Sequence, residues 1–452
     1  AGLSAQRHLS QDSQERALAC LARFSQRLRD FPLGSVRAVG TNTLRTARNG
    51  AQFLIQAEKV LGHPIEIISG IEEARLIYLG VSQGHQRDGK RRLVMDIGGG
   101  STEYIIGVDR DPLHKESLSM GCVSMSMQHF ADGKITSKRY RKAVLAAEQK
   151  LEPFQLAFQK DHWDESVGAS GTIRAVRKMV VGRKWCREGI SREALDRLVE
   201  SLLAAGGGDK QHFPDLNPER YPSFAGGLAV LHASFTALGI TQMTVSDRAL
   251  REGLLYDLKG RLSQDDIRGR TVAALAARYH VDALHVSHIR QTLGQLLENY
   301  PFPAGLETGS QWLEWAASLH EIGLDIAHSQ YHKHSAYIIR NADLPGFSRQ
   351  DQILLAALVQ AHRRKFPLKL FKNLPVPWNE TLKSLAVILR LAIRLNRSRH
   401  DRLLPPVKAR HSEQGTELIF PVGWLEAHPL TLADLEQEAC DLLPAGITLT
   451  YC

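Results

Sequence analysis

The chain has 452 residues, 57 Lys and Arg against 48 Asp and Glu, a net charge of +9 and 43% hydrophobic residues. That is long for one core, and the composition excludes a disordered or fibrous chain. No apolar run reaches the roughly 18 residues of a membrane-spanning helix, and five scattered cysteines without a CxxC pair argue for a reducing compartment and against a cysteine metal site. The positive surplus fits a polyanionic ligand, a nucleic acid or a membrane surface, and equally a basic solvated face.

The sequence opens at Ala1 on a basic patch, without an initiator methionine or a signal-peptide pattern, and reads as a piece of a longer chain. An amphipathic helix follows in SQERALACLARFSQRLRDF. Strands and helices then alternate. SVRAVGT (35–41) is a strand, ARNGAQFLIQAEKVLG a helix and PIEIIS (64–69) a strand. EEARLIYLGVSQG is a helix opening on acidic residues, which suit a helix N-terminus. Two strands flank DIGGGSTE, and a third ends at SLSMGCVSM. ESVGASGT (165–172) is a strand running into a Gly/Ser loop, and residues 203–222 form a loop excursion. MTVSD (243–247) is a strand, and RALREGLLYDLKG a helix. From about Asp265 helical periodicity dominates, and residues 406–452 alternate again in TELIFPV and ITLTYC. The fold class is α/β, followed by an all-helical domain and a small β-rich module.

The stretch VMDIGGGSTEYIIG ends one strand on Asp96 and begins the next near Glu103, across Gly98, Gly99, Gly100 and Ser101. Three consecutive glycines let backbone N–H groups approach a ligand, and a run of such amides is an anion nest. Two acids beside that turn point to a hard cation, Mg2+, bridging carboxylate and phosphate oxygens. A dinucleotide fingerprint fits poorly, because its glycines must open a helix and here a strand follows. The Walker lysine is also missing. A glycine hairpin with solvated acids is the plain alternative. A second loop, VGASGTIRAV, sets Gly168, Ser170, Gly171 and Thr172 between a strand and a helix. That is an anion site at a helix N-terminus, or an ordinary strand-to-helix turn. It is not a nucleophile elbow, since Thr172 stands where GxSxG has its second glycine.

These segments, together with GTNTLRTARNGAQFL, IISGIEEARLIYLGV, SLSMGCVSM and SDRALREGLLYDL, resemble the exopolyphosphatase / guanosine pentaphosphate phosphohydrolase family. LHEIGLDIAHSQYHKHSAYIIRNADLPGFS resembles the helical domain of its long bacterial members. The resemblance implies two ribonuclease-H-like lobes of the actin / sugar-kinase superfamily around a cleft. They would span 1–76 (N-terminally incomplete) and 77–262, with a helical HD-like domain at 263–405 and the β-rich module at 406–452. It implies a catalytic Glu73 that activates water, Asp96 and Glu103 linked to the metal, and a phosphate loop of Gly98, Gly99, Gly100 and Ser101. Arg45 would be a basic cleft residue, and Gly168, Ser170, Gly171 and Thr172 a further phosphate loop. The residues alone do not choose between Glu73 and its neighbour Glu72, which otherwise reads as a solvated acid. Two departures stand out. The family's first phosphate loop, an acidic strand followed by Gly-Ser-Asn-Ser, would lie upstream of Ala1. Arg248 occupies a usual glycine and is expected to add bulk and charge near the cleft.

In LHEIGL, Glu321 replaces the aspartate of the HD phosphohydrolase motif. His320, His328, His332 and His334 lie close together in sequence, but Gly323 and Leu324 break the HExxH pattern. The expectation is a degenerate HD fold without its own metal site. AHRRKFPLKLFKN and LRLAIRLNRSRHDR, with His362 and His400, are dense in positive charge and read as solvated faces or as a channel for polyphosphate. Nucleic acid is a poorer partner, with 7% aromatic residues and no stacking motif. The expected protein is a Mg2+-dependent, processive exopolyphosphatase acting on inorganic polyphosphate. Hydrolysis of guanosine pentaphosphate and a non-catalytic phosphate or nucleotide sensor are the alternatives. The resemblance further implies a homodimer. A cytoplasmic setting, with peripheral association at the inner membrane, completes the expectations.

Overall fold

Apolar alternation and glycine placement divide the N-terminal residues into a small parallel pair and a larger mixed sheet. The structure, a computed structural model, describes residues 3–4, 6–207, 213–263, 266–298, 309–374, 378–399, 404–412 and 415–452. Ala1, Asp265, His400 and part of the 203–222 excursion lie outside them. The chain forms two compact units, Ala1–Asp266 and Ile267–Cys452.

In the first unit, β1 (Ala38–Gly40) and β2 (Ile65–Ile67) pair in parallel and are shorter than the sequence pattern predicts. β3 (Arg91–Ile97), β4 (Thr102–Val108) and β5 (Asp111–Leu118) form an antiparallel meander. β6 (Glu165–Ala169), β7 (Ile190–Ser191) and β8 (Gln242–Val245) complete a six-stranded sheet of order β5-β4-β3-β6-β8-β7. β6 runs parallel to both β3 and β8. Leu93, Val94 and Met95 on β3 and Tyr104, Ile105 and Ile106 on β4 are all buried. Covered on both faces, these strands read as continuous apolar runs rather than alternating ones.

Two sequence expectations need correction here. The third strand stops at Leu118, and Cys122–His129 is a helix. Its first amides donate to the glycine turn, Cys122 N to Gly98 O at 2.9 Å and Val123 N to Gly99 O at 2.9 Å. After β6 there is no Gly/Ser loop: the chain passes directly from Ala169 into the helix Ser170–Gly182.

The helix Gly70–Ser82 begins on Ser69, whose Oγ accepts from the amide of Glu72 at 3.1 Å. It packs against the helix Leu250–Leu262 at two glycines. A Cβ on Gly253 would stand 1.8 Å from the carbonyl oxygen of Leu76, and one on Gly80 would stand 2.0 Å from that of Ala249. The division expected at residue 76 falls inside this helix. At the same crossing Asp257 accepts from Arg37, from Arg75 and, at 3.1 Å, from Arg261 Nε.

The second unit is built on the helices Ile267–Arg278, Ala283–Leu297, Gly309–Leu319, Tyr331–Asn341, Arg349–Ala361 and Trp378–Leu395. A sheet of β9 (Lys408–Ser412), β10 (Gly415–Ile419) and β11 (Thr448–Tyr451) follows, in the order β11-β10-β9. β9 and the helix Pro429–Leu442 were not foreseen, so the tail is less purely β than its sequence suggests. Nor does it stand apart. Leu418, Leu435 and Leu449 join the same core as Leu355, Leu385 and Ile388. Buried Arg390 pairs with Glu438 and donates to the carbonyls of Ala361 at 2.6 Å and Arg364 at 2.7 Å. An internal cation so fully partnered ties helix to tail, because removing either charge strands the other. Among the described residues no helix is long and apolar enough to cross a membrane.

Candidate active site

Asp96 and Glu103 face each other as direct cross-strand partners on β3 and β4. Glu103 is 1% exposed, and one of its oxygens accepts from Ser117 Oγ on β5 at 2.9 Å. Gly70 lies against that same serine: a Cβ there would stand 2.4 Å from Ser117 Oγ. Only glycine permits this approach, which brings the first turn of Gly70–Ser82, and with it Glu73, beside Glu103. Glu73 is buried, and its Oε2 lies 3.5 Å from Nη1 of Arg45. Arg45, on the short helix Asn42–Thr46, is itself fixed by donating to the carbonyl of Ile68 at 2.7 Å. The Thr41 side chain also hydrogen-bonds to Glu73.

Glu72 goes elsewhere. It is 2% exposed and holds the Arg75 guanidinium with both oxygens at 2.8 Å. It is a buried structural partner, not the solvated acid the sequence suggested.

Burial and mutual repulsion govern the three cleft acids. Burial pushes Asp96 up to about 7, with the charge of Glu73 adding to it and Arg174 opposing. Glu103 is pushed up to about 8 by burial and then by Glu73, against hydrogen bonds from Ser101 and Ser117. Burial also raises Glu73, against Arg45 and Thr41. The charge of Glu73 raises both other acids and that of Asp96 raises Glu103, so the set titrates together and favours a bound cation. Their donor atoms are carboxylate oxygens, the hard ligands that Mg2+ or Ca2+ takes.

The glycine turn is not a nest of left-handed residues, since none of Gly98, Gly99 and Gly100 has positive φ. It is a tight connection in which Gly98 N donates to Ser101 O at 2.9 Å. Gly100, and Gly121 facing the turn, answer to close neighbours, whereas a Cβ on Gly99 would meet only Val123 at 3.6 Å. A Cβ on Gly100 would stand 2.5 Å from Asn42 Oδ1, and one on Gly121 2.5 Å from the Gly99 carbonyl carbon. Ser101 is buried behind the turn. A cavity of about 950 Å3 opens beside Gly99 and Gly100, with Asn42, Leu44, Phe53 and Met127 in its wall; Glu73, Asp96 and Glu103 are outside that wall.

The second glycine motif divides. Asp96 lies opposite Ala169 in the β3–β6 register, so the helix that starts at Ser170 begins next to it. Ser170 (φ 88°) and Gly171 stand at that N-terminus. Gly168 instead lies within β6, where a Cβ would stand 2.5 Å from Ile173, and Thr172 is buried. Two arginines here escaped the sequence reading. Arg174 lies one turn into this helix and acts on Asp96. The Arg220 guanidinium packs over Gly171, with Nη2 1.9 Å from where a Cβ would stand. Spacing from Ser170 could have flagged Arg174; nothing local flags Arg220. Arg248 is exposed and lies near Gly84, beyond the C-terminal end of the Gly70–Ser82 helix, about 16 Å along its axis from Glu73 at 1.5 Å per residue. Its neighbour Asp247 accepts at its carbonyl from Arg174 at 3.3 Å, so the Arg248 backbone lies next to the start of the Ser170–Gly182 helix while its side chain reaches towards Gly84.

Residues 1–262 match the Ppx/GppA phosphatase family, and residues 267–439 match Ppx/GppA phosphatase, domain III. An exopolyphosphatase from Cytophaga hutchinsonii is similar in structure, with 25% identity and a TM-score of 0.51 over 57% of this chain and 87% of that chain. An exopolyphosphatase-like protein is similar at 24% identity and a TM-score of 0.51, over 57% of this chain and 88% of that chain.

Proposed function

Because the chain belongs to the Ppx/GppA phosphatase family, we propose that it is an exopolyphosphatase, removing terminal orthophosphate from inorganic polyphosphate with Mg2+ as cofactor. The observation that carries this reading is the meeting of Glu73 with Asp96 and Glu103 beside the glycine turn. The similarity to a structure named an exopolyphosphatase supports the choice of substrate.

Asp96 and Glu103 would hold the ion, which neutralises charge on the phosphoryl oxygens when bound. Glu73, raised by burial, accepts a proton from the attacking water. The new P–O bond forms as the bridging P–O bond breaks, releasing orthophosphate and a chain one unit shorter. Arg45 keeps the Glu73 carboxylate aimed. Arg220 and the amides at the start of Ser170–Gly182 favour an anion together: a cation beside a helix N-terminus is otherwise poorly placed. Basic helical surface in the second unit retains the shortened chain, and the working form is a homodimer.

Guanosine pentaphosphate would use the same loops. Phosphate release by purified protein from long-chain polyphosphate and from guanosine pentaphosphate, with Mg2+ and with chelator, separates the readings. Faster, Mg2+-dependent release from polyphosphate is expected. A preference for the nucleotide, or no release from either, overturns the assignment.

A further inference from the structure

The second unit contains a buried group of titratable side chains that the proposed hydrolysis does not use. His285 on the helix Ala283–Leu297, and His320 and Glu321 just past the helix Gly309–Leu319, each offer a ligand atom, all within 4.8 Å of one another. His320 is fully buried, with Nδ1 2.7 Å from the carbonyl oxygen of Ala317. A carbonyl only accepts, so Nδ1 carries the hydrogen and the neutral ring presents its lone pair at Nε2. That Nε2 has no hydrogen-bond partner and lies 3.8 Å from Oε1 of Glu321. His285, 4% exposed, also leaves a buried Nδ1 without a partner. Interior polar atoms are ordinarily satisfied, and two orphaned imidazole nitrogens beside a carboxylate call for an occupant.

We propose that His285, His320 and Glu321 bind a divalent transition-metal ion whose open positions take a phosphate group held in the adjoining arginine-lined cavity. Two imidazoles and one carboxylate select zinc, manganese, iron or cobalt over magnesium, which prefers oxygen alone. Three protein ligands leave coordination positions for an exogenous group, unlike a closed structural site. The backbone hydrogen bond that fixes the His320 tautomer is the outer-shell contact metal-binding histidines usually make. His285 and Glu321 form part of the wall of a cavity of about 510 Å3 that also presents Arg363, Arg394, Arg397 and Arg399. Guanidinium groups match phosphate oxygens in charge and geometry.

Arg399 supplies the control. Its Nη2 lies 2.5 Å from Glu321 Oε1, and its Nη1 3.3 Å from Asp282 Oδ2. The guanidinium and the metal are rivals for one carboxylate, so Arg399 weakens the site it guards.

The test uses the full chain carrying Asp96→Asn and Glu103→Gln, which silences the carboxylate cleft, after treatment with chelator. Calorimetric titration with Co2+ is expected to show one ion per chain, with visible absorption bands from nitrogen coordination. His320→Gln removes a direct ligand and should weaken binding by at least about 100-fold, the upper end of what loss of an outer-shell partner costs. Arg399→Ala, at a half-exposed position, removes the competing hydrogen bond to Glu321 and should tighten binding by about tenfold, a direction no loss of folding can mimic. Inorganic phosphate should raise Co2+ affinity in the parent protein. Absence of Co2+ binding in both the parent and Arg399→Ala proteins, each folded by circular dichroism, overturns the metal site. Binding that phosphate leaves unchanged overturns the phosphate ligand.

Discussion

Replacing Glu73 by glutamine removes one charge from a site of three while keeping its shape, and two measurable effects of opposite sign follow. The first is on rate. A positioned base contributes about 10²–10⁴-fold, so kcat for phosphate release should fall by that factor, equivalent to about 3–5 kcal/mol of barrier. Polyphosphate binding should persist, because Arg45 keeps its hydrogen bond to Ile68. The second effect is on stability. The rise of Asp96 from 3.8 to about 7 corresponds to roughly 4 kcal/mol of charging cost. Burial supplies the largest share and Glu73 the next, and Glu103 follows the same order. Without the Glu73 charge both acids ionise more easily. At pH 8 in chelator the variant should gain about 1 kcal/mol, a melting temperature higher by about 2–4 °C for a unit of this size. Phosphate release, polyphosphate binding by anisotropy and scanning calorimetry give the three readings. Turnover close to wild type, or a lower melting temperature in chelator at pH 8, would refute the reasoning.

The pH dependence carries its own sign. Asp96 and Glu103 stand above their ordinary values of 3.8 and 4.5, so the folded chain binds their protons more tightly than the unfolded chain does. Their contribution to stability is complete below those ordinary values and is lost as the pH rises through about 7 and about 8. In chelator, calorimetry should show it falling between pH 5 and pH 8, and Mg2+ should restore it at pH 8 and not at pH 5. Gly121→Ala pushes a methyl into the backbone of Gly99 and Gly100. Denaturant unfolding should show a loss of about 1–3 kcal/mol, and phosphate release should fall with it. Asp257→Asn leaves Arg37, Arg75 and Arg261 without their shared counter-charge. A loss of about 3–5 kcal/mol is expected, and it should change little with added salt, because the pairs are buried.

Much of the architecture is legible because it is local. Leu93–Met95 and Tyr104–Ile106 are unbroken apolar runs, so they read as strands covered on both faces, and Ser69 before Glu72 is an ordinary helix start. Register carries Asp96 opposite Glu103 once the turn length is known. What escapes is set by contacts between distant segments. Arg75 stands one turn from Glu72 on the same helix, but nothing local announces that Asp257 will take the other side of that guanidinium. Arg220 and Gly171 are brought together only by the packed helices. His285 joins His320 from another helix, so a search of sequence spacing around LHEIGL finds neighbours in the chain and misses the neighbour in space. The triple glycine misled for a different reason. None of its residues is left-handed; Gly100 is small for the sake of Asn42 and Gly98 lies tight against the Ser101 carbonyl, while Gly99 has room for a Cβ.

The side-chain-free crossing of Gly80 and Gly253 also acts as a gauge block. Two helices touching backbone to backbone have no soft spacer between them, so their separation is fixed by peptide atoms that cannot rotate away. The carboxylate at position 73 rides on one end of that assembly, and bulk added at the far contact would be passed along a stiff rod rather than absorbed. The aim of Glu73 therefore depends on a contact two turns away along its own helix.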